Sequence, residues 1–333
     1  MIWIAWRFQR SVVFTLALVA LLVIGFTVIT GVMQHHDLVQ LFGAPCHGNQ
    51  IATPGPGDVC GVLAVKLEKI AAYNAYIRVA GFVIAPLVGA MLGLLAVVNE
   101  LDHRTARLAW TQSISRNRWF VAKAGVGAAI VAIILVPTAV VLSWWNGEVR
   151  GVDLFSTRTF GIAGWDLVAY GLFAFALAML LGAVIRRVGW TLAATTLLFL
   201  AVALTFPSHV RQHLVTPTVH FSEPTTNYFP PQNSWLLVNG VVPRSTTGIP
   251  TWNEVVATLP RVESCEANYP QETESKYVKT EIKCYRKFDV ANVSVYIVGD
   301  QFWTLQLREG LLYLVGGLAL TGGSLLIIRR IEP

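Results

Sequence analysis

The chain has 333 residues, of which 54% are hydrophobic and 13% charged, with a formal net charge of +6 and a mean hydropathy of +0.57. A soluble domain carries roughly 25% charged residues, so too little polar side chain is present to clothe a globule of this size in water, and lipid must cover part of it. The positive excess does not describe a nucleic-acid binder, because no soluble basic patch exists to carry it.

Residues 1–10, M-I-W-I-A-W-R-F-Q-R, set Ile2, Trp3 and Trp6 beside Arg7 and Arg10. That mixture predicts a short interfacial helix with its arginines snorkelling, or equally an aromatic belt at the start of the first span. A bilayer core takes about 20 apolar residues to cross, and six charge-free segments suffice: 11–33, 79–98, 124–145, 167–185, 188–207 and 310–328. The first is too long for a signal-peptide h-region of about 7–15 residues, and no small-residue cleavage site follows it. It reads as a retained span.

Charge sets the expected orientation. If the N-terminus, the loops 99–123 and 186–187 and the tail 329–333 share one side, that side holds eleven basic residues and three acidic ones, a net +8. The remaining fourteen basic and sixteen acidic residues give −2. The positive-inside rule then predicts both termini in the cytoplasm.

The expected architecture is an all-α polytopic membrane protein. Residues 11–206 hold the first five transmembrane helices, and 310–333 hold the sixth with a cytoplasmic tail. An outer loop spans 34–76 and a cytoplasmic loop spans 99–123. A small α+β extracytoplasmic domain occupies 207–309, with nine of the fifteen prolines. Within it, Thr251 and Glu254 form a capping-box start, and runs at 277–286 and 293–298 read as strands. Cys46, Cys60, Cys265 and Cys284 all fall on the outer side, where oxidation is permitted. Neighbour pairing, Cys46–Cys60 and Cys265–Cys284, is the expected arrangement. Pairing across the two segments, or four free thiols, are the alternatives.

Small residues recur at four-residue spacing: Gly81, Ala85, Gly89 and Gly93 in the second span, Gly171, Ala178 and Gly182 in the fourth. Such stripes predict close backbone approach between helices. Pro86 and Pro137 are expected to kink their spans. No span carries Asp, Glu, Lys, Arg or His near its middle, which argues against ion-coupled transport. Thr15, Thr27, Thr30, Thr191, Thr195 and Thr196 are expected to hydrogen-bond their own helices. No G-x-S-x-G, H-E-x-x-H or G-x-x-x-x-G-K-[ST] occurs. His209 and His213 stand at i, i+4 without a third ligand, so metal is not expected.

The informative stretch is 99–123, N-E-L-D-H-R-T-A-R-L-A-W-T-Q-S-I-S-R-N-R-W-F-V-A-K. Its apolar residues among charges predict an amphipathic helix for a partner to grip, and Ser113 and Ser115 offer caps before the third span. This stretch resembles the second-to-third-span segment of type 2 ATP-binding-cassette permeases of the type V exporter fold, in a subgroup common in high-GC Gram-positive bacteria. Glu100, Asp102, Thr105, Leu108, Ala109, Trp110, Thr111, Gln112, Ser113, Arg116, Arg118, Trp119 and Lys123 match; Arg104 stands where that family prefers Gly. Phe302, Trp303, Gln306 and Glu309 resemble a second motif, Phe-Trp-x-x-Gln-x-x-Glu, before the last span.

The resemblance implies a permease in a bacterial cytoplasmic membrane that dimerises as a homodimer. Each copy would dock one separate ATPase subunit through a coupling helix over 99–118. ATP and Mg would belong to that partner, with no cofactor bound by this chain. The exported substrate would be apolar or amphipathic, and the permease would hydrolyse nothing. The alternative is a membrane-anchored extracytoplasmic binding or sensor protein. Single cysteines at Asn117 and Arg187 should react only with membrane-permeant reagents, and one at Gln232 with an impermeant reagent from outside. Swapped labelling would reverse the orientation.

Overall fold

A computed structural model describes residues 2–43, 59–98, 115–148, 155, 157–222, 230–231, 234–258 and 286–330. The helices are α1 (Ile2–Gly43), α2 (Val59–Gly93), α3 (Arg116–Glu148), the short α4 (Thr157–Phe160), α5 (Trp165–Ile185), α6 (Val188–His209) and α7 (Phe302–Arg330). Six of them are long and apolar enough to cross a membrane. Helix α1 runs unbroken through residues 2–10 and on past residue 33, and α7 begins at Phe302, ahead of the apolar run that starts at Gly310. Backbone hydrogen bonding carries a helix beyond its lipid-facing length as long as no breaker intervenes. Pro86 and Pro137 lie inside α2 and α3, which continue past them.

The chain forms two compact units, one holding the helices and one running from Pro207 to Leu305 together with Phe155. In the helical unit α2 and α5 are central: two thirds (67%) of each apolar window is buried, against 22% for α1, α6 and α7. Large side chains such as Ile133, Leu197 and Leu318 lie bare on the outer helix faces, where hydrocarbon rather than water is the solvent.

The central pair is joined by the glycines of the two stripes. A Cβ at Gly89 would overlap the carbonyl oxygen of Gly171, and one at Gly93 would sit 2.5 Å from the Phe175 carbonyl oxygen. Gly171 in turn faces Leu135 and Val131 of α3, and Gly127 of α3 receives the Phe175 ring. At the far end Gly182 receives Val98, the last residue of a π-helical turn, Leu94–Val98, that continues α2. Helix α7 runs alongside α5 in the same direction. Tyr313 meets Tyr170 at 4.6 Å, Gly316 faces Phe173 and Gly323 faces Leu180.

Hydroxyls inside the spans mostly bond their own helix. Thr15, Thr27, Thr30, Thr191 and Thr195 each donate to the carbonyl four residues earlier, at 2.7–2.9 Å. This satisfies a polar group where no water is available. Arg186 closes α5 in the left-handed region, φ 56°, with its N–H on the Gly182 carbonyl at 3.0 Å. The chain re-enters α6 at Val188.

The second unit holds β1 (Thr218–Ser222), β2 (Trp235–Pro243) and β3 (Val290–Ile297), in the antiparallel order β1-β3-β2. Register pairs Thr218 with Tyr296 and Pro243 with Val290, with a bulge between Leu236 and Val238. Strand β3 falls on one of the expected runs, and the other lies outside the described residues except for Arg286, which is helical. Val242, Val255, Val293 and Val295 form the core. Val255 belongs to a helical stretch, 252–258, that begins as expected. The Glu254 carboxylate accepts the Thr251 N–H at 2.7 Å and its hydroxyl at 3.2 Å. Cys46, Cys265 and Cys284 lie outside the described residues, and Cys60 lies where α2 is described by its backbone alone.

Gly89→Ala should lower the melting temperature of the purified protein, because the added methyl forces two backbones apart, an overpacking cost of about 1–3 kcal/mol. Gly25→Ala, with nothing within 4 Å of the new methyl, should leave it unchanged. Equal melting of the two variants would show that the α2–α5 seam is not a close contact.

Candidate functional site

Two ends of the helical unit carry its polar chemistry. At the end where α5 and α7 begin, Gln306 and Glu309 stand one turn apart on α7, both fully buried. Gln306 donates through Nε2 to the Phe160 carbonyl at 2.9 Å. This ties α7 to the short helix α4, at a carbonyl that also accepts the Ala163 N–H at 3.3 Å.

The Glu309 carboxylate accepts a hydrogen bond from the Tyr170 hydroxyl at 2.6 Å, with both groups buried. Asp166, one turn before Tyr170, is also fully buried. A Cβ at Gly310 would stand 3.1 Å from its Oδ1, so a glycine at 310 lets α7 close over that carboxyl. Around these groups Tyr170, Phe173, Phe199, Phe206 and Tyr313 pack from α5, α6 and α7, with Tyr313 edge-on to Tyr170 and Phe173. The result is a polar lock inside an aromatic collar, worth more than its area alone because edge-to-face pairs add to burial. Phe302 lies in the other unit, edge-on to Phe155, which stacks on Trp235.

The motif Phe-Trp-x-x-Gln-x-x-Glu was legible in the sequence. Its partners Phe160, Asp166 and Tyr170 were not. The apolar stretch read from the sequence starts at Leu167, so Asp166 falls one residue outside it, whereas the helix starts at Trp165 and takes Asp166 into the interior.

At the opposite end α3 starts and α7 stops. Ser115 caps α3, its hydroxyl accepting the Arg118 N–H at 3.4 Å. Arg116 donates to the Arg329 carbonyl at 3.1 Å, and Arg329 Nε donates to Asn117 Oδ1 at 2.8 Å. The first of these bonds supplies a cationic donor to a terminal carbonyl of α7. Trp119 is 3% exposed and belongs to the core, with the Lys123 ammonium 5.4 Å over its ring. Arg186, Arg187 and Arg330 are exposed, and the parallel run of α5 and α7 carries their basic ends to this same side. Glu100, Asp102, Thr105, Leu108, Trp110, Gln112 and Ser113 lie outside the described residues. Among the described residues no group of His, Cys, Asp or Glu is arranged to hold a metal ion.

Tyr170→Phe removes the donor to a buried carboxylate and should cost about 1.5–3 kcal/mol, read as a lower melting temperature. Tyr76→Phe alters a ring that is 69% exposed and should melt as the unmodified protein does. A Tyr170→Phe protein of undiminished stability would mean that Glu309 is held by other groups.

The family described as ABC-2 membrane transporter related matches residues 12–211, 200 of the 333 residues, covering α1 to α6. No curated protein and no solved structure matches the chain. The six spans and this match together identify a multi-pass transport component rather than an enzyme in its own right. The chain belongs to the ABC-2 membrane transporter related family and is the membrane-spanning permease of an ABC transporter.

Proposed function

We propose that this permease exports an apolar or amphipathic substrate, driven by ATP hydrolysed on two separate ATPase subunits docked to a homodimer of this chain. Both termini and the 99–123 loop face the cytoplasm of a bacterial cell, and the sheet unit lies outside. The ATP and its Mg belong to the partner. This chain supplies the path and the lever.

The observation that carries the reading is the hydrogen-bonded tie between the start of α3 and the end of α7, Arg116 to Arg329 and Arg329 to Asn117. The π-helical end of α2 leads directly into the 99–114 segment, and α3 leads out of it. A force on that segment therefore acts on α2 and α3 together. Helix α2 passes it to α5 through Gly89 and Gly93, and α3 passes it to α7 through the arginine tie. Helices α5 and α7 hold the two sides of the Tyr170–Glu309 lock. Displacement at one membrane face so reaches the polar lock at the other, by rigid helices rather than by a chain of small rearrangements.

Trp119, buried in the core with the Lys123 ammonium over its ring, anchors the start of α3, while Leu108 and Trp110 serve as apolar docking anchors and Glu100 fixes the turn out of the second span. The π-helical turn at the end of α2 suits a moving element, since such turns are frequent at functional sites. A sensor whose business end is the sheet unit would need none of this machinery.

Trp110→Ala should weaken ATPase docking about tenfold or more, the usual consequence of truncating a buried aromatic anchor. The spans do not depend on that contact, so the variant should insert normally. The assay is ATPase co-purification with transport-linked ATP hydrolysis. Wild-type levels of both would make Trp110 an interfacial belt residue and move the docking role elsewhere in the loop.

A further inference from the structure

A second polar site lies where α1, α2 and α3 meet, away from the α5–α7 lock. Gln34 of α1 and Asn74 of α2 are each 5% exposed, Asn146 of α3 is 4% exposed and Trp145 is fully buried. Gln34 Oε1, Asn74 Oδ1, both amide atoms of Asn146, Trp145 Nε1 and Arg78 Nε have no hydrogen-bond partner among the described residues. A buried group left in that state costs about 1–3 kcal/mol, and proteins tolerate only a few. Five side chains in this condition at one corner are a feature of the fold.

Neighbouring glycines fix the convergence. A Cβ at Gly31 would stand 2.9 Å from the Trp144 ring and 3.2 Å from Trp145 Cδ1, the atom bonded to the indole nitrogen. The N–H edge of Trp145 therefore faces α1, and Gln34 is one turn further along it. A Cβ at Gly81 would stand 3.1 Å from Leu142. Helices α2 and α3 pass each other in opposite directions there. One to two turns back from Gly81 are Arg78 and Asn74, and one turn on from Leu142 are Trp145 and Asn146. All five residues fall in the end turns of their membrane-spanning segments, the depth of lipid head groups and of interfacial tryptophan.

We propose that this corner binds the uncharged, hydroxyl-bearing head group of a membrane amphiphile. Among the described residues the donors Trp145 Nε1 and Asn146 Nδ2 and the acceptors Gln34 Oε1, Asn74 Oδ1 and Asn146 Oδ1 are left without partners, and Arg78, half-buried, adds a further donor in Nε. A hydroxyl donates and accepts at one atom and suits such a balanced set. An ammonium only donates and is repelled by the Arg78 guanidinium; a carboxylate or sulfate would pair with that guanidinium but only accepts, so it leaves the three carboxamide oxygens without a donor. Trp144, 40% exposed beside Gly31, adds a flat apolar wall of the kind a sugar ring packs on. The site stands on this geometry and does not depend on the direction of transport.

The test is equilibrium binding to the full-length protein in nanodiscs, corrected with empty nanodiscs. The probes are octyl glucoside, octyl sulfate and octyltrimethylammonium below their micelle concentrations. Octyl glucoside should bind saturably and most tightly. Asn146→Leu and Asn74→Leu should each weaken it about fivefold, the loss of one neutral hydrogen bond, while raising the melting temperature because unsatisfied groups are removed. Free glucose that competes would assign the ligand to solution, and a requirement for the alkyl tail would assign it to the membrane. Tighter binding of either charged probe overturns the proposal. So does glucoside binding unaffected by Asn146→Leu, which would leave a merely hydrated corner. Should that variant not fold, Asn74→Leu and Gln34→Leu carry the same test.

Discussion

The backbone contact between α2 and α5 is the constraint on which the rest of the helical unit depends. Gly89 and Gly93 put α2 against the carbonyl oxygens of Gly171 and Phe175 with no side chain between them. In a membrane the apolar exterior gives helices little reason to associate, so close van der Waals packing must supply it. The same glycines set the rotation of both helices. That rotation turns Phe175 onto Gly127 of α3 and turns Tyr170 and Phe173 toward α7. The polar lock forms where it does because α5 has one orientation in which its glycine face and its tyrosine face both find partners.

Polar chemistry is confined to the ends of the bundle for a related reason. A hydroxyl in the middle of a span can bond its own helix, as Thr27, Thr138 and Thr195 do. A carboxylate, which only accepts, cannot bond a carbonyl of its own helix and needs a donor from elsewhere. Glu309 finds Tyr170, and Gln306 finds the carbonyl of Phe160. At the other end Arg116, Asn117 and Arg329 tie two helix termini together. Each tie joins a pair of helices that are distant in the chain.

The corner of Gln34, Asn74, Arg78, Trp145 and Asn146 breaks this pattern, since six of its buried polar atoms have no hydrogen-bond partner among the described residues. Stability alone would favour apolar residues there. Their presence there is what the proposed head-group site accounts for, as binding sites commonly sacrifice local stability.

The six spans, the small-residue stripes, the capping box at Thr251 and one strand were legible in the sequence, because each depends on local composition or on a short period. So was the family, through a motif of fixed spacing. Strands β1 and β2 were not legible. A bulge between Leu236 and Val238 breaks the alternation of β2, and the five residues of β1 show no two-sided burial pattern. The partners of Gln306 and Glu309 lie more than a hundred residues away in sequence, and no local pattern announces them. Composition and period decide which segments enter the bilayer. Which buried polar groups meet there depends on helix rotation and register, and those follow from packing between helices distant in the chain.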